Sequence, residues 1–265
     1  MKRWIPFLKA DPTVAVIRLR GVIASGSRGT LSDQALAPIL EKAFSRGKPV
    51  AVALQLNSPG GSPVQSSLIG SRIRRLAEEK EIPVFAFVED VAASGGYWIA
   101  AAADEIICDE SSVVGSIGVI SSSFGAHELI NRYGIERRVY TAGTSKSQLD
   151  PFRPEKPEDV ARLKTILEDL HTNFVGHIKA RRGDKLAEGE DLFNGEFWLA
   201  RKAQELGLID GIGHLQPTMK ERFGEKVRFR NYGVKRPFFE RFGAQLMHDA
   251  VGAVEERAAY AQFGL

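Results

Sequence analysis

The chain has 265 residues, of which 43% are hydrophobic and 26% are charged, and its formal net charge is +3. This is the composition of an ordinary globular protein with enough apolar material for a large core, and it excludes wholesale disorder. The small positive charge does not by itself indicate nucleic-acid binding, and the single cysteine, Cys108, excludes an intramolecular disulfide and a multi-cysteine metal site.

Residues 1–12 form a candidate N-terminal extension. Two early positive charges are typical of a signal peptide, but Lys9 and Asp11 make the apolar stretch too short for one. No run reaches about 18 consecutive apolar residues, so no transmembrane helix is predicted. We expect the protein to be cytoplasmic or peripheral to the membrane, with Trp4, Phe7 and Leu8 available for a weak membrane contact.

Short apolar runs alternate with helical patterns along most of the chain. The predicted strands are 13–19, 49–56, 83–88, 105–108 and 113–120. The predicted helices are 31–44, 62–80, 97–103, 158–182 and 200–206. This order of strand, turn and helix predicts an α/β architecture.

Two of the predicted helices carry apolar stripes. The residues of the second helix expected to share one side are Val64, Leu68, Ile69, Ile73 and Leu76. Helix 158–182 repeats apolar residues at steps of three and four, which indicates one buried face. That face is a candidate subunit contact, with packing on its own domain as the alternative.

Two glycine-rich turns carry the main functional signal. Asn-Ser-Pro-Gly-Gly at 57–61 and Ala-Ser-Gly-Gly at 93–96 each follow a predicted buried strand and precede a helix. Such turns bind ligands in open α/β sheets, and glycine allows a close approach of the backbone. The N–H groups of Gly61 and Gly95 are therefore candidate oxyanion donors, each worth roughly 3–4 kcal/mol in the transition state. Tight turns without a catalytic role are the alternative.

Ser94 lies at a predicted helix start, where its hydroxyl can serve as an N-cap or as a nucleophile. None of the five histidines stands in a recognisable triad context, and Gly-x-Ser-x-Gly does not occur around Ser94. Another known base for serine is a neutral, desolvated lysine. Lys146, in the weakly charged stretch 141–147, is the candidate, with a solvated surface lysine as the alternative.

The blocks 57–61, 93–97, 115–119 and 143–146 stand in the order seen in the signal peptide peptidase A family. The chain resembles this family of serine-lysine proteases from about residue 13 to 215. The resemblance implies the Clp protease/crotonase fold, with stacked βα units and a C-terminal helical region. It also implies a serine endopeptidase that cleaves peptides or unfolded segments, remnant signal peptides among them, without a cofactor or a metal.

Residue roles follow from the same resemblance. By position, Ser94 resembles the nucleophile, Lys146 the general base, and Gly61 and Gly95 the oxyanion donors. Ser116 resembles the residue whose hydroxyl holds the lysine amine. Short members of the family form ring-like homo-oligomers in which the serine and the lysine can come from adjacent subunits. Many members also carry an N-terminal membrane anchor, which this chain does not show.

These observations predict a peptidase domain over 13–215 and a basic C-terminal extension with a terminal helix over 216–265. From Arg222 to Arg241 there are seven Lys or Arg against two Glu, which is typical of a solvated tail. We expect peptide substrates and no nucleic-acid partner.

Two other functions stay open at this point. A crotonase-type acyl-CoA enzyme would share the oxyanion hole and use carboxylates such as Glu89 and Asp90. The other is an inactive scaffold of the same fold, which the presence of both Ser94 and Lys146 argues against.

Overall fold

The computed structural model describes residues 11–26, 30–143, 145–233 and 257–264. The strands of this part of the chain are β1 (Thr13–Arg20), β2 (Ala51–Ser58), β3 (Val84–Ala93), β4 (Glu105–Cys108), β5 (Val113–Gly115), β6 (Phe197–Leu199), β7 (Gly211–Ile212) and β8 (Arg228–Tyr232). The helices are α1 (Asp33–Ser45), α2 (Pro63–Lys80), α3 (Gly95–Ala101), α4 (His127–Arg132), α5 (Pro157–Arg182), α6 (Ala200–Glu205) and α7 (Leu215–Phe223). The predicted α/β class is confirmed.

The strands form one sheet in the order β6-β5-β3-β2-β1-β8, and β4 and β7 branch from it at β3. All pairs are parallel except the antiparallel pair of β5 and β6. The first half of β3, from Phe85 to Val88, pairs with β4, whereas its second half, from Val91 to Ala93, pairs with β5. One strand therefore belongs to both branches of the sheet.

A bulge separates the two halves of β3. Leu56 of β2 pairs with Val88 of β3, and Ser58 pairs with Ala92, so two steps along β2 correspond to four along β3. Extra residues of this kind bend a strand locally. This change of direction lets the end of β3 pair with β5 and reach the turn that contains Ser94.

The sheet is covered on both faces, which explains why its strands are nearly continuous apolar runs. The larger core contains Leu54 of β2, Ile69 of α2 and Tyr97 of α3. A second cluster contains Phe85 of β3 and Met219 of α7. Cys108 is buried in the larger core, and burial raises the pKa of its thiol.

Some predicted boundaries are wrong. Strand β2 runs through Asn57 and Ser58, which were expected to end it, and the strand predicted over 113–120 stops at Gly115. The side chains of Val64 and Leu68 are exposed, whereas Ile73 of the same helix is buried. Leu68 and Ile69 are one residue apart, so a helix turns them about 100° from each other.

The basic stretch after Arg222 is not a solvated tail throughout. Residues Arg228–Tyr232 form β8, which pairs in parallel with β1, and Val227 is buried. The sheet thus continues beyond residue 215, where the sequence predicts the peptidase domain to end. Residues 1–10 and most of the predicted terminal helix, apart from helical residues 257–260, lie outside the described residues. Within the described ranges, no helix has both the length and the apolar character needed to cross a bilayer.

Candidate active site

Ser94 lies in the sharp turn between β3 and α3. Its backbone has φ 51° and ψ −123°, a conformation that serine adopts only where its surroundings enforce it. The Ser94 N–H donates to the carbonyl of Gly115 (2.8 Å), and the N–H of Trp98 donates to the Ser94 carbonyl (3.0 Å). The hydroxyl makes no capping hydrogen bond, so the N-cap interpretation of this side chain is wrong.

The turn after β2 packs directly against the Ser94 turn. A Cβ atom at Gly60 would lie 2.8 Å from Ser94 Cβ and 2.9 Å from the nitrogen of Gly95, so only glycine fits there. Gly61 is held beside Ile23, whose N–H donates to the Gly60 carbonyl (2.8 Å). The structure therefore brings Gly61, Gly95 and Ser94 to one place.

The N–H groups of Gly61 and Gly95 are the two predicted oxyanion donors. Neither donates a hydrogen bond within the part of the chain that the structure describes. Gly61 is exposed, whereas Gly95 is buried at the first position of α3, where backbone N–H groups have no partner within the helix. Both N–H groups are therefore available to a ligand oxygen. The pair therefore has the unused hydrogen-bonding capacity that an oxyanion hole requires.

The space around Gly95 yields a prediction for stability. A Cβ atom there would lie 2.3 Å from Ser66 Oγ, and the buried Ser66 hydroxyl donates to the carbonyl of Ser62 (2.9 Å). We expect Gly95→Ala to lower the free energy of unfolding by about 1–3 kcal/mol, because a methyl group overfills the site.

Adding Ser66→Ala to Gly95→Ala should recover part of the lost free energy of unfolding, because it removes the Ser66 Oγ atom that the new methyl group would contact. Urea unfolding of the two single variants and the double variant measures this coupling. Additive effects would show that the close contact is not the cause of the instability.

Ser116 directly follows β5, next to the Ser94 turn. It also has a positive φ, 52°, and its N–H donates to the carbonyl of Glu196 (2.6 Å). The carbonyl of Gly115, one residue earlier, accepts the Ser94 N–H. The predicted lysine-positioning residue therefore lies on the segment that is hydrogen-bonded to the predicted nucleophile.

For Lys146, in contrast, no hydrogen bond to this site is found in the part of the chain that the structure describes. Its side chain is exposed, and among the described residues its amine forms no ion pair and no hydrogen bond to Ser94 or Ser116. It lies in a long segment of the chain, residues 119–156, which we call the arm. Large apolar side chains are exposed along the arm: Ile120, Phe124, Leu129, Tyr133, Ile135, Tyr140 and Phe152. Backbone contacts join the segments of four of the five predicted site residues, and no such contact joins Lys146 to them among the described residues.

Sequence reasoning missed the residues that allow the two turns to pack so closely. A Cβ atom at Gly96 would lie 2.5 Å from the carbonyl oxygen of Ser58. Gly60 and Gly96 are therefore required for packing, next to the two glycines predicted as donors. The doubled glycine in each turn was the available signal.

Asn57 has a structural role as well. It is buried, and its side-chain N–H group donates to the carboxylate of Asp90. A carboxylate at position 57 would face Asp90 with a like charge. The neutral amide avoids that repulsion.

Comparison with known proteins identifies the family. The sequence profile of peptidase family S49 matches residues 77–226, more than half of the chain. The chain belongs to peptidase family S49. The matched S49 region includes Ser94, Gly95, Ser116 and Lys146 and begins after Gly61. The resemblance to the signal peptide peptidase A family is confirmed.

Three relatives show what this chain is similar to. A Brucella abortus protein named Na(+)/H(+) antiporter NhaA is 46% identical over 286 residues, which cover all of this chain and 39% of the relative. The chloroplastic serine protease SPPA of Arabidopsis thaliana is 32% identical over 81% of this chain and 33% of the relative. A putative signal peptide peptidase SppA of Enterococcus faecium is 27% identical over 82% of this chain and 64% of the relative. The chain spans less than two thirds of each relative's length.

Proposed function

We propose that this chain is a serine endopeptidase with Ser94 as its nucleophile. The observation that carries the proposal is the geometry of the Ser94 turn. The Ser94 hydroxyl does not cap the helix, and the nearby N–H groups of Gly61 and Gly95 donate no hydrogen bond among the described residues. Donors fixed before the reaction stabilise a developing oxyanion without reorganisation. Membership of peptidase family S49 supports the same chemistry.

The proposed reaction starts with a neutral Lys146 amine that takes the Ser94 proton. Ser94 Oγ attacks a peptide carbonyl carbon, and the resulting oxyanion accepts hydrogen bonds from the N–H groups of Gly61 and Gly95. The protonated lysine then donates its proton to the leaving amine, which gives an acyl-enzyme. Water, deprotonated by the lysine, releases the acyl group and restores the serine. Ser116 is proposed to hold the lysine amine through its hydroxyl.

We further propose that Lys146 reaches Ser94 in a neighbouring copy of the chain. General-base lysines lie in desolvated surroundings, whereas Lys146 is exposed in the single chain. The arm on which it lies also exposes Tyr140 by 90%, Ile120 by 86% and Phe124 by 79%. So much exposed apolar surface on one segment is typical of a protein interface. A second copy that covers the arm would bury both the apolar side chains and the lysine.

The proposed substrates are peptides or unfolded segments, with remnant signal peptides as one class. The signal peptide peptidase name of the Enterococcus relative supports that class. The acyl-CoA alternative is less well supported, because its candidate carboxylates already have partners. Glu89 accepts a hydrogen bond from Gln55 Nε2 (2.6 Å), and Asp90 accepts one from Asn57.

Mixing two inactive variants tests both proposals. We expect Ser94→Ala and Lys146→Ala to be inactive alone, and the mixture to regain about one quarter of wild-type activity if subunits exchange in a head-to-tail assembly. The fraction follows because half of the serines and half of the lysines are intact and they combine at random. Cleavage of a fluorogenic peptide measures the activity.

The control replaces Lys146→Ala in the mixture with the double variant Ser94→Ala/Lys146→Ala, which supplies no intact serine and must leave the mixture inactive. No recovery from variants shown to exchange subunits would contradict the sharing of sites. A wild-type protein that cleaves no peptide in its assembled form would contradict the peptidase proposal itself.

A further inference from the structure

Helix α5 contacts both segments of the candidate site through two histidines. His171 Nε2 lies 3.2 Å from the carbonyl oxygen of Ile117, the residue after Ser116. His177 Nε2 lies 3.0 Å from the carbonyl oxygen of Trp98, in the first turn of α3 after Ser94. One helix thus reaches the backbone just after each of the two serines.

The His177 contact is reinforced by aromatic packing. The imidazole of His177 stacks on the indole of Trp98 at 4.6 Å with an interplanar angle of 7°, and Phe174 packs against the same indole at 5.1 Å. Because the Trp98 N–H donates to the Ser94 carbonyl, a fixed Trp98 restrains the backbone of Ser94.

Both serines need such restraint because both have an unfavourable backbone conformation. Positive φ values at Ser94 and Ser116 are each disfavoured by about 1–3 kcal/mol and persist only when the surroundings over-determine them. Ile117 is fully buried, so its carbonyl oxygen cannot accept a hydrogen bond from solvent and needs a donor from the protein. The nearby His171 ring supplies that donor.

The histidines act as hydrogen-bond donors here. A carbonyl oxygen can only accept, so Nε2 must carry the hydrogen at both positions. Burial lowers the pKa of His177 below its usual value, which favours the neutral ring with a single N–H. That N–H is then committed to the Trp98 carbonyl.

The docking of α5 does not depend on these two contacts. The buried Arg182 donates to the carbonyl of Gly207 (2.7 Å) and to the carboxylate of Asp210 (2.7 Å). Arg181 donates to the carbonyls of Ala101 (3.1 Å) and Ala103 (3.0 Å) at the end of α3. Loss of one histidine should therefore leave α5 in place while it frees the backbone after a serine.

We propose that His171 and His177 are positioning residues that hold the Ser116 and Ser94 segments in register from α5. The proposal rests on the proposed peptidase function for its effect on turnover, and on the geometry alone for its effect on the two backbone segments. It assigns to the second half of α5 a role at the active site, in addition to packing.

Paired substitutions test this role. Leucine approximates the size of histidine without a donor, whereas glutamine retains an N–H donor near the Nε2 position. We expect His171→Leu and His177→Leu each to lower kcat by about tenfold or more with KM within about twofold, since small misplacements of reacting groups are costly. His171→Gln and His177→Gln should restore kcat to within about threefold of wild type. Asn173→Leu, on an exposed position of α5, is the matched control and should leave kcat unchanged.

A second measurement does not require activity. Amide hydrogen exchange of peptides covering 93–98 and 115–119 should become faster in the leucine variants, and each variant should affect mainly its own segment. Unchanged exchange and unchanged kcat in the leucine variants would overturn the proposal, as would glutamine variants that are as impaired as the leucine ones. If the wild-type protein has no peptidase activity, the proposed function fails, and the exchange result alone then decides whether the histidines hold the two segments.

Discussion

Replacement of Ser94 by alanine is expected to lower kcat by about 10⁴-fold or more, because no other group can form the acyl-enzyme. The fold should be retained, since the Ser94 hydroxyl makes no capping hydrogen bond. Hydrolysis of a fluorogenic peptide measures the loss, and Ser71→Ala, at an exposed position of α2, is the matched control. An alanine variant with more than a few per cent of wild-type turnover would show that Ser94 is not the nucleophile.

Ser94→Gly separates the effect of the missing hydroxyl from the effect of the strained backbone conformation. Glycine also lacks the hydroxyl, so it should be as inactive as alanine. It tolerates φ 51° and ψ −123° without strain, so we expect the glycine variant to be more stable than the alanine variant by about 1 kcal/mol or more. Urea unfolding of both variants measures the difference. Equal stabilities would mean that the turn can relax, and that the strained geometry is not imposed by its neighbours.

Gly61→Ala is the second change with a large expected effect, on both stability and activity. A Cβ atom at Gly61 would lie 2.1 Å from the carbonyl oxygen of Ile23, and the φ of 139° is also unfavourable for alanine. Because the obstacle is backbone, no side-chain rotation can relieve it. We expect the free energy of unfolding to fall by about 3 kcal/mol or more, and kcat/KM by about 10²-fold or more in the folded fraction, as a displaced N–H no longer meets the oxyanion.

Gly224→Ala is a matched control for the backbone strain. Gly224 also has a positive φ, 89°, but nothing lies within 4 Å of its missing Cβ, and it is outside the arm. Its substitution should therefore show the conformational strain without the clash and without loss of activity. If Gly61→Ala and Gly224→Ala are equally stable and equally active, the contact with Ile23 does not hold the proposed donor in place.

The sequence predicts most of the sheet because buried parallel strands leave a strong local signal. The apolar runs of β1 to β4 and the glycine pairs after β2 and β3 are visible in any window of a few residues. The position of the site follows from the same signal, since both turns lie at the carboxyl ends of neighbouring strands. Ser94 and Gly95 could therefore be named before any coordinates.

Features that depend on distant residues could not be predicted in the same way. The sequence RFRNY of β8 is polar and basic, and only its pairing with β1 makes it a strand. His171 and His177 have no triad pattern around them, because their partners are backbone carbonyls of residues far away in sequence. The position of Lys146 relative to Ser94 depends, on our proposal, on a second chain, and no pattern within one sequence reports it.

The division of β3 has a consequence for how this protein tolerates changes in length. A single-residue deletion between Val88 and Val91 would leave the pairing with β4 intact but shift everything after it by one position. Because neighbouring residues of a strand face opposite ways, the shift would turn Ala93 and the following serine to the wrong side of the sheet. Such a variant would keep the pairing of the first half of β3 and misplace the candidate site at its end. Insertions in the exposed arm, by comparison, would leave that register untouched.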